Sequence, residues 1–165
     1  MPKEGAQPCA MIRPVPDDLP QAAPLRTTVD VEVRYIETDQ MGHVHHANYI
    51  AWFEIARARL CLDTGYPYAS IEAMGYLLIV TGAELRYRQP AHYGEVVAVS
   101  TWVERLASRL MRFAYEVRCG ERLLATGATE HVWVDRQSRR PCRMPAVLRE
   151  PFARVAGVDP AALGA

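Results

Sequence analysis

The stretch Ile36–Leu60, IETDQMGHVHHANYIAWFEIARARL, decides the fold. Its first half crowds Asp39, Gly42, His43, His45 and His46 into a polar loop. Its second half is apolar on nearly every side: Tyr49, Phe53, Ala56 and Leu60 form one stripe, and Ile50, Ala51, Trp52 and Ile55 fill most of the rest. Such a helix is expected to be surrounded by protein. Glu54 and Arg57, three residues apart, are its polar intruders and can pair. Asn48 is the expected N-cap. The helix should stop near Asp63, with Gly65 as a left-handed cap and Pro67 beyond it. A polar cluster ahead of a buried helix has three readings: a metal site, a catalytic loop, or a polar turn.

The flanks read as strands. In TVDVEVRY, Thr28–Tyr35, Val29, Val31, Val33 and Tyr35 alternate with Asp30, Glu32 and Arg34, the period of a half-buried strand. After a loop through Gly75, four more strands are predicted: Tyr76–Arg88, Glu95–Glu104, Arg109–Arg118 and Leu123–Val134. RLAS (Arg105–Ser108) and CGE (Cys119–Glu121) read as turns, and Gly127 as a bulge inside the last strand. The segment DRQSRRPCRMP that follows is basic and irregular. One long helix with five strands joined mainly by short turns is an α+β layout.

At 165 residues the chain suits a single core. The reading divides it into a Pro-rich arm over 1–27, a domain over 28–145 and a C-terminal tail over 146–165. The arm between Pro8 and Pro24 carries five prolines and two aspartates, which interrupt any secretory signal. Net charge is zero, so no global field favours nucleic acid or an acidic membrane. No window is long and apolar enough for a membrane helix. Cys9, Cys61, Cys119 and Cys142 are scattered, with no C-x-x-C pair, which suggests a reduced, cytoplasmic protein. Lys3 is the only lysine, excluding Schiff-base chemistry in the folded part. Nucleotide-binding glycine motifs and the G-x-S-x-G elbow are absent. Three histidines on one loop without H-E-x-x-H are weak support for a metal, so no metal and no cofactor is expected.

The words RYIETDQMG and VHHANYIAWFEIAR resemble the hotdog-fold acyl-CoA thioesterases, specifically the 4-hydroxybenzoyl-CoA thioesterase branch and its YbgC-like relatives. The elements that carry the resemblance are Tyr35, Thr38, Asp39, Gly42, His46, Glu54 and Arg57, and GAELRYRQPAHYGEVVAVST also fits that family. The resemblance covers about Thr28 to Pro145. It implies a five-stranded antiparallel sheet in the order 1-3-4-5-2, wrapped around one central helix. It also implies homodimers joined through Tyr76–Arg88, often paired into homotetramers, with active sites at the dimer interface.

The resemblance further implies hydrolysis of acyl-CoA to free acid and CoA. Asp39 would be general base or nucleophile, and the N–H of His46 would stabilise the oxyanion, with Ala47 a weaker donor. The His46 side chain would bind the thioester or orient Asp39, Tyr35 would position Asp39, and Glu54 would tether the loop. Gly42 belongs to the substrate-binding loop. For the CoA phosphates, Arg109, Arg86, Arg88 and the Arg136–Arg143 segment are available, each also readable as a solvated charge. Trp52, Met74 and Tyr76 are candidate pocket residues. A hotdog hydratase or dehydratase is the alternative among enzymes, and a non-catalytic acyl-CoA-binding module the alternative outside them.

Overall fold

The computed structural model describes residues 23–163. Five strands, β1 (Thr27–Glu32), β2 (Tyr76–Tyr87), β3 (Val96–Leu106), β4 (Leu110–Cys119) and β5 (Arg122–Asp135), form one antiparallel sheet in the order β1-β3-β4-β5-β2. Helix α1 (Asn48–Asp63) lies against it, and two shorter helices, α2 (Tyr68–Ala73) and α3 (Ala146–Ala156), complete the body. This is the α+β hotdog layout that the resemblance implies, with the same strand order.

Helix α1 is held by its aromatic stripe. Tyr49, Trp52, Phe53, Ala56, Leu60 and Cys61 are buried. Phe53 stacks on Tyr115 of β4 with centroids 4.1 Å apart and planes 6° from parallel. The expectation of a helix enclosed on all sides does not hold within one chain. Ile50, Ile55 and Leu62 are 38%, 48% and 48% exposed, because the sheet covers one side of α1 only. Asn48 is the first helical residue and not the cap; the N-cap is Ala47, without a side-chain bond. The Asn48 amide instead donates to the carbonyl of Glu37 at 2.7 Å. The other end follows expectation, with Gly65 at φ +86° just past the helix.

Three sequence expectations change for physical reasons. The first strand stops at Glu32, and a 3-10 turn over Tyr35–Glu37 breaks its alternation, so Val33 stays buried while Tyr35 turns outward, 77% exposed. Arg105 and Leu106 remain in β3, paired with Arg112 and Met111, and the turn tightens behind them where Ala107 N–H donates to Leu110 O. Gly127 is not a bulge: it pairs in continuous register with Leu85 and Tyr115. A Cβ there would lie 2.5 Å from Glu84 O and 2.6 Å from a ring carbon of Phe53. The glycine is what lets α1 settle on the sheet.

The ends of the chain are more attached than the sequence suggests. Thr27, assigned to the arm, is the first residue of β1 and pairs with Thr101. Leu25 N–H donates to Val155 O at 2.8 Å, and the Arg26 guanidinium sits 3.8 Å from the Trp102 ring centroid. The arm before residue 23 lies outside the described residues. From the segment set apart as a tail, α3 adds Leu148, Phe152, Ala153, Val155 and Ala156 to the same core.

Under α1 runs a buried polar chain. Tyr115 Oη and Thr129 Oγ1 are 2.8 Å apart, Thr129 Oγ1 and His131 Nε2 are 2.8 Å apart, and Arg57 Nη1 lies 3.4 Å from that nitrogen. Burial, and then the Arg57 charge, push the His131 pKa down to about 4. The neutral imidazole can accept from Arg57.

Two outcomes follow for stability. Gly127→Ala should cost about 2–4 kcal/mol through overpacking, read as a lower denaturant midpoint. The unfolded His131 titrates near 6.5 and the folded one near 4, so the unfolded state binds more protons between these values. Stability should therefore fall as pH drops from about 6.5 to about 4, by on the order of 3 kcal/mol from this group. Denaturant melts across that window should show a shallower slope for His131→Asn than for the parent chain.

Candidate active site

The loop before α1 is a small hairpin. Asp39 N–H donates to His43 O at 2.8 Å, Gly42 N–H returns to Asp39 O at 3.0 Å, and Thr38 bridges Val44. Gly42 is at φ +74°, where a glycine backbone costs least. Asp39 Oδ1 accepts the N–H of Met41 at 2.8 Å, an Asx turn. The hairpin is fastened to the β2–β3 connection: Val44 N–H donates to Ala91 O, and His92 Nδ1 lies 3.1 Å from Gly42 O.

Its other anchor is Glu37, which sequence reasoning passed over. This residue is 3% exposed. Its carboxylate accepts the Arg34 N–H at 2.8 Å, the Arg34 guanidinium at 2.9 Å and the Trp52 indole N–H at 3.1 Å. Its carbonyl accepts His45 N–H and the Asn48 amide. Burial by itself would raise the pKa of this carboxyl, but the Arg34 and Trp52 donors outweigh it and hold the group below its ordinary value. The available signal was a glutamate three residues after a strand-end arginine, the spacing of a capping box.

At the start of α1, Asn48 N–H donates to His45 O and Ala47 N–H to His45 Nδ1 at 3.3 Å. Among the described residues the His46 N–H has no hydrogen-bond partner. The His46 carbonyl accepts the Tyr87 hydroxyl at 3.0 Å, and the His45 and His46 rings are 4.1 Å apart.

A cavity of about 350 Å³ opens here, lined by Asp39, His46, Tyr49, Tyr87 and Arg88 among others. Asp39 and His46 thus line the same cavity. Arg88, a candidate for the CoA phosphates, also lines it, and the other candidates do not. Tyr35 packs edge-on against Tyr93 at 5.6 Å and steadies the loop through its carbonyl, which accepts from Thr38 N–H and Oγ1; its ring does not position Asp39. Gly42 shapes the hairpin without lining the cavity. Ala47 has already committed its N–H. The Glu54 side chain is 74% exposed and lies 3.9 Å from Arg57, so within the chain it does not tether the loop. Trp52 is buried on Glu37, and Met74 and Tyr76 line a different cavity. Arg109 sits at the β3–β4 turn, where its carbonyl accepts Trp133 N–H, at the far end of the sheet from Asp39. Tyr87 was missed because only strand register brings it to the loop, and Tyr49 was read only as part of the helix's apolar stripe. No cluster of three or more metal-ligating side chains occurs among the described residues.

Comparison with known proteins points to one family. The sequence profile of the Thioesterase-like superfamily matches residues 33–152. A Bacillus subtilis protein named "Putative acyl-CoA thioesterase YneP" is 40% identical over 113 residues, 68% of this chain and 82% of its own. The Escherichia coli acyl-CoA thioester hydrolase YbgC is 25% identical over 116 residues, 70% of this chain and 87% of its own. The crystal structure of a DHNA-CoA thioesterase from Staphylococcus aureus superposes with a TM-score of 0.76 at 32% identity, covering 79% of this chain and 91% of that one. The chain belongs to the Thioesterase-like superfamily.

Glu37→Gln should loosen the loop, because an amide presents N–H groups to donors that need an acceptor. The expected loss is about 1–3 kcal/mol. The depressed folded pKa means that the glutamate contributes fully above its unfolded value near 4.3 and loses that contribution as pH falls through the lower folded value. Hydrogen exchange at His45 and Asn48 should quicken in the variant at neutral pH, and unchanged protection would remove Glu37 as the anchor.

Proposed function

We propose that this protein hydrolyses acyl-CoA thioesters to the free acid and CoA. The observation that carries the reading is the shared cavity: Asp39 and His46, whose N–H has no hydrogen-bond partner among the described residues, both line one space at the start of a helix. Thioester hydrolysis needs an activated oxygen nucleophile and a donor for the negative charge that develops on the carbonyl oxygen. Asp39 keeps one oxygen in the Asx turn, which fixes its direction, and offers the other to water or to the thioester carbon. The N–H of His46 is the oxyanion donor, strengthened by the positive end of α1.

As general base, Asp39 takes a proton from water as the water oxygen attacks; the tetrahedral intermediate then expels CoA thiolate, which is reprotonated. As nucleophile, Asp39 attacks the thioester carbon and expels CoA thiolate, forming a mixed anhydride that water then opens. The His46 imidazole, lining the same cavity, is placed to hydrogen-bond the thioester.

The working unit is a homodimer through β2, either alone or as one half of a tetramer. Support comes from the free edge of β2 and from the apolar face of α1 that one chain leaves open. Gly42 then shapes the substrate loop. Glu54 and Arg109, remote from Asp39 within the chain, act on substrate across the interface, Arg109 toward CoA phosphate.

Asp39→Asn keeps the shape and the Asx turn but loses the base. Turnover of acyl-CoA, followed by release of free thiol, should fall by about 10² to 10⁴. A variant that hydrolyses at the parental rate ends the assignment of Asp39. Single turnover in ¹⁸O water distinguishes base from nucleophile: the base route labels only the product acid, whereas an anhydride opened by water at the Asp39 carboxyl carbon leaves the label in Asp39.

A further inference from the structure

Two peptide units meet at the Cα of His46, and each carries one carbonyl and one N–H. The carbonyl of the first, His45 O, accepts Asn48 N–H at 3.0 Å. The carbonyl of the second, His46 O, accepts the Tyr87 hydroxyl at 3.0 Å, and its N–H, from Ala47, donates to His45 Nδ1 at 3.3 Å. The remaining group is the His46 N–H, which has no partner among the described residues. The bonds of Asn48 and Ala47 are local to the turn. The bond of Tyr87 comes from the sheet, 41 residues away along the chain.

Local bonds shape the turn, but they let it swing as one piece. Glu37 ties it down at the His45 N–H and at the Asn48 amide. Neither tie touches the peptide between His46 and Ala47. Tyr87 holds that peptide by its carbonyl. A peptide unit is planar, so two planes that share a Cα are related only by φ and ψ of that residue. With both planes held, the direction of the His46 N–H is set.

The hydroxyl that does this is itself held. Tyr87 ends β2, in register with Ala125 of β5. Its ring stands edge-on to that of Tyr49, with centroids 5.4 Å apart. Tyr49 is buried, and its own hydroxyl accepts Ala91 N–H at 3.3 Å. Burial holds the Tyr87 pKa above its ordinary value near 10, so the phenol keeps the proton that it donates well past neutral pH. Tyr87 lines the Asp39 cavity, yet its hydroxyl is committed to backbone.

We propose that Tyr87 is a positioning residue for the hydrolysis: its hydroxyl, through the His46 carbonyl, fixes the direction in which the His46 N–H meets the thioester oxygen. This rests on the hydrolase reading above and adds a residue to which that reading gives no role. An oxyanion donor is effective when it is already aimed at the place where charge develops, which differs from the place of the ground-state carbonyl oxygen. Loss of the Tyr87 bond therefore acts on turnover more than on binding.

Tyr87→Phe keeps the ring beside Tyr49 and removes only the hydroxyl. His46–Ala47 is the single His-Ala pair in the sequence, so carbonyl-¹³C histidine with ¹⁵N alanine reports this peptide alone in the full chain. Its carbonyl resonance should move upfield in the variant, as a hydrogen bond to it is lost. For an acyl-CoA, kcat should fall by about tenfold while KM stays within about twofold of the parent's, the pattern of an interaction made in the transition state. A ketone analogue of that acyl-CoA, with CH₂ in place of sulfur, reads the donor directly: binding should lower its carbonyl stretch less in the variant than in the parent. A carbonyl resonance that stays in place shows that the bond is not made, and overturns the proposal. A parental kcat overturns it too, with or without a raised KM, since Tyr87 is then only a wall of the cavity. A fall in kcat with an unchanged ketone stretch places the loss elsewhere and has the same consequence. If the parent chain cleaves no acyl-CoA while the labelled resonance still moves, it is the hydrolase reading that has failed and not the contact.

Discussion

A single buried carboxylate organises the working end of this molecule. Glu37 gathers the backbone and guanidinium of Arg34, the indole of Trp52, and, through its carbonyl, His45 and Asn48. It joins the end of β1, the hairpin of Asp39 and the first two turns of α1. A buried charge is tolerated only when its lone pairs are filled, and here they are filled by donors from these separate places. The loop can then be polar, solvent-facing and still fixed, because its rigidity comes from behind.

The second constraint is close approach. Helix α1 reaches the sheet through Phe53, and the sheet admits Phe53 only because Gly127 has no side chain. That contact sets the height of α1 above β4 and β5, and with it the position of the helix start where His46 offers its N–H. Beneath the same helix, Arg57 is kept in place by a neutral His131 and by Tyr115 and Thr129 rather than by a buried carboxylate. The sheet side of the helix is closed and well packed. Its other side, with Ile50, Ile55 and Leu62, and the edge of β2 remain open in the single chain.

Much of this was legible in the sequence. Local apolar patterning gave the five strands and the helix that ends near Asp63, because strand and helix periods are local properties of backbone geometry. That Asp39 and Gly42 lie in a polar loop was legible as well, since turn chemistry is also local; that the loop closes as a hairpin was not. The C-terminal helix was not: its Pro151 and its short apolar pattern look irregular until Trp133 and the rest of the core cover one face. Tyr35 was misplaced by extending the strand period through residues that Glu37 pulls into a 3-10 turn.

The sequence by itself determined the class of fold, the existence of a polar loop ahead of a helix, and the residue types that loop presents. Only the tertiary structure decided which of them meet. Asp39 and His46 come to one cavity with Tyr87 because the end of β2 lies beside the loop, while Tyr35, Glu54 and Arg109, named on spacing and resemblance, lie elsewhere in the chain. Spacing along a chain fixes neighbours within an element; it does not fix which ends of a sheet face each other. That is settled by register and by the packing of one aromatic ring over one glycine, long-range contacts that a local pattern does not encode.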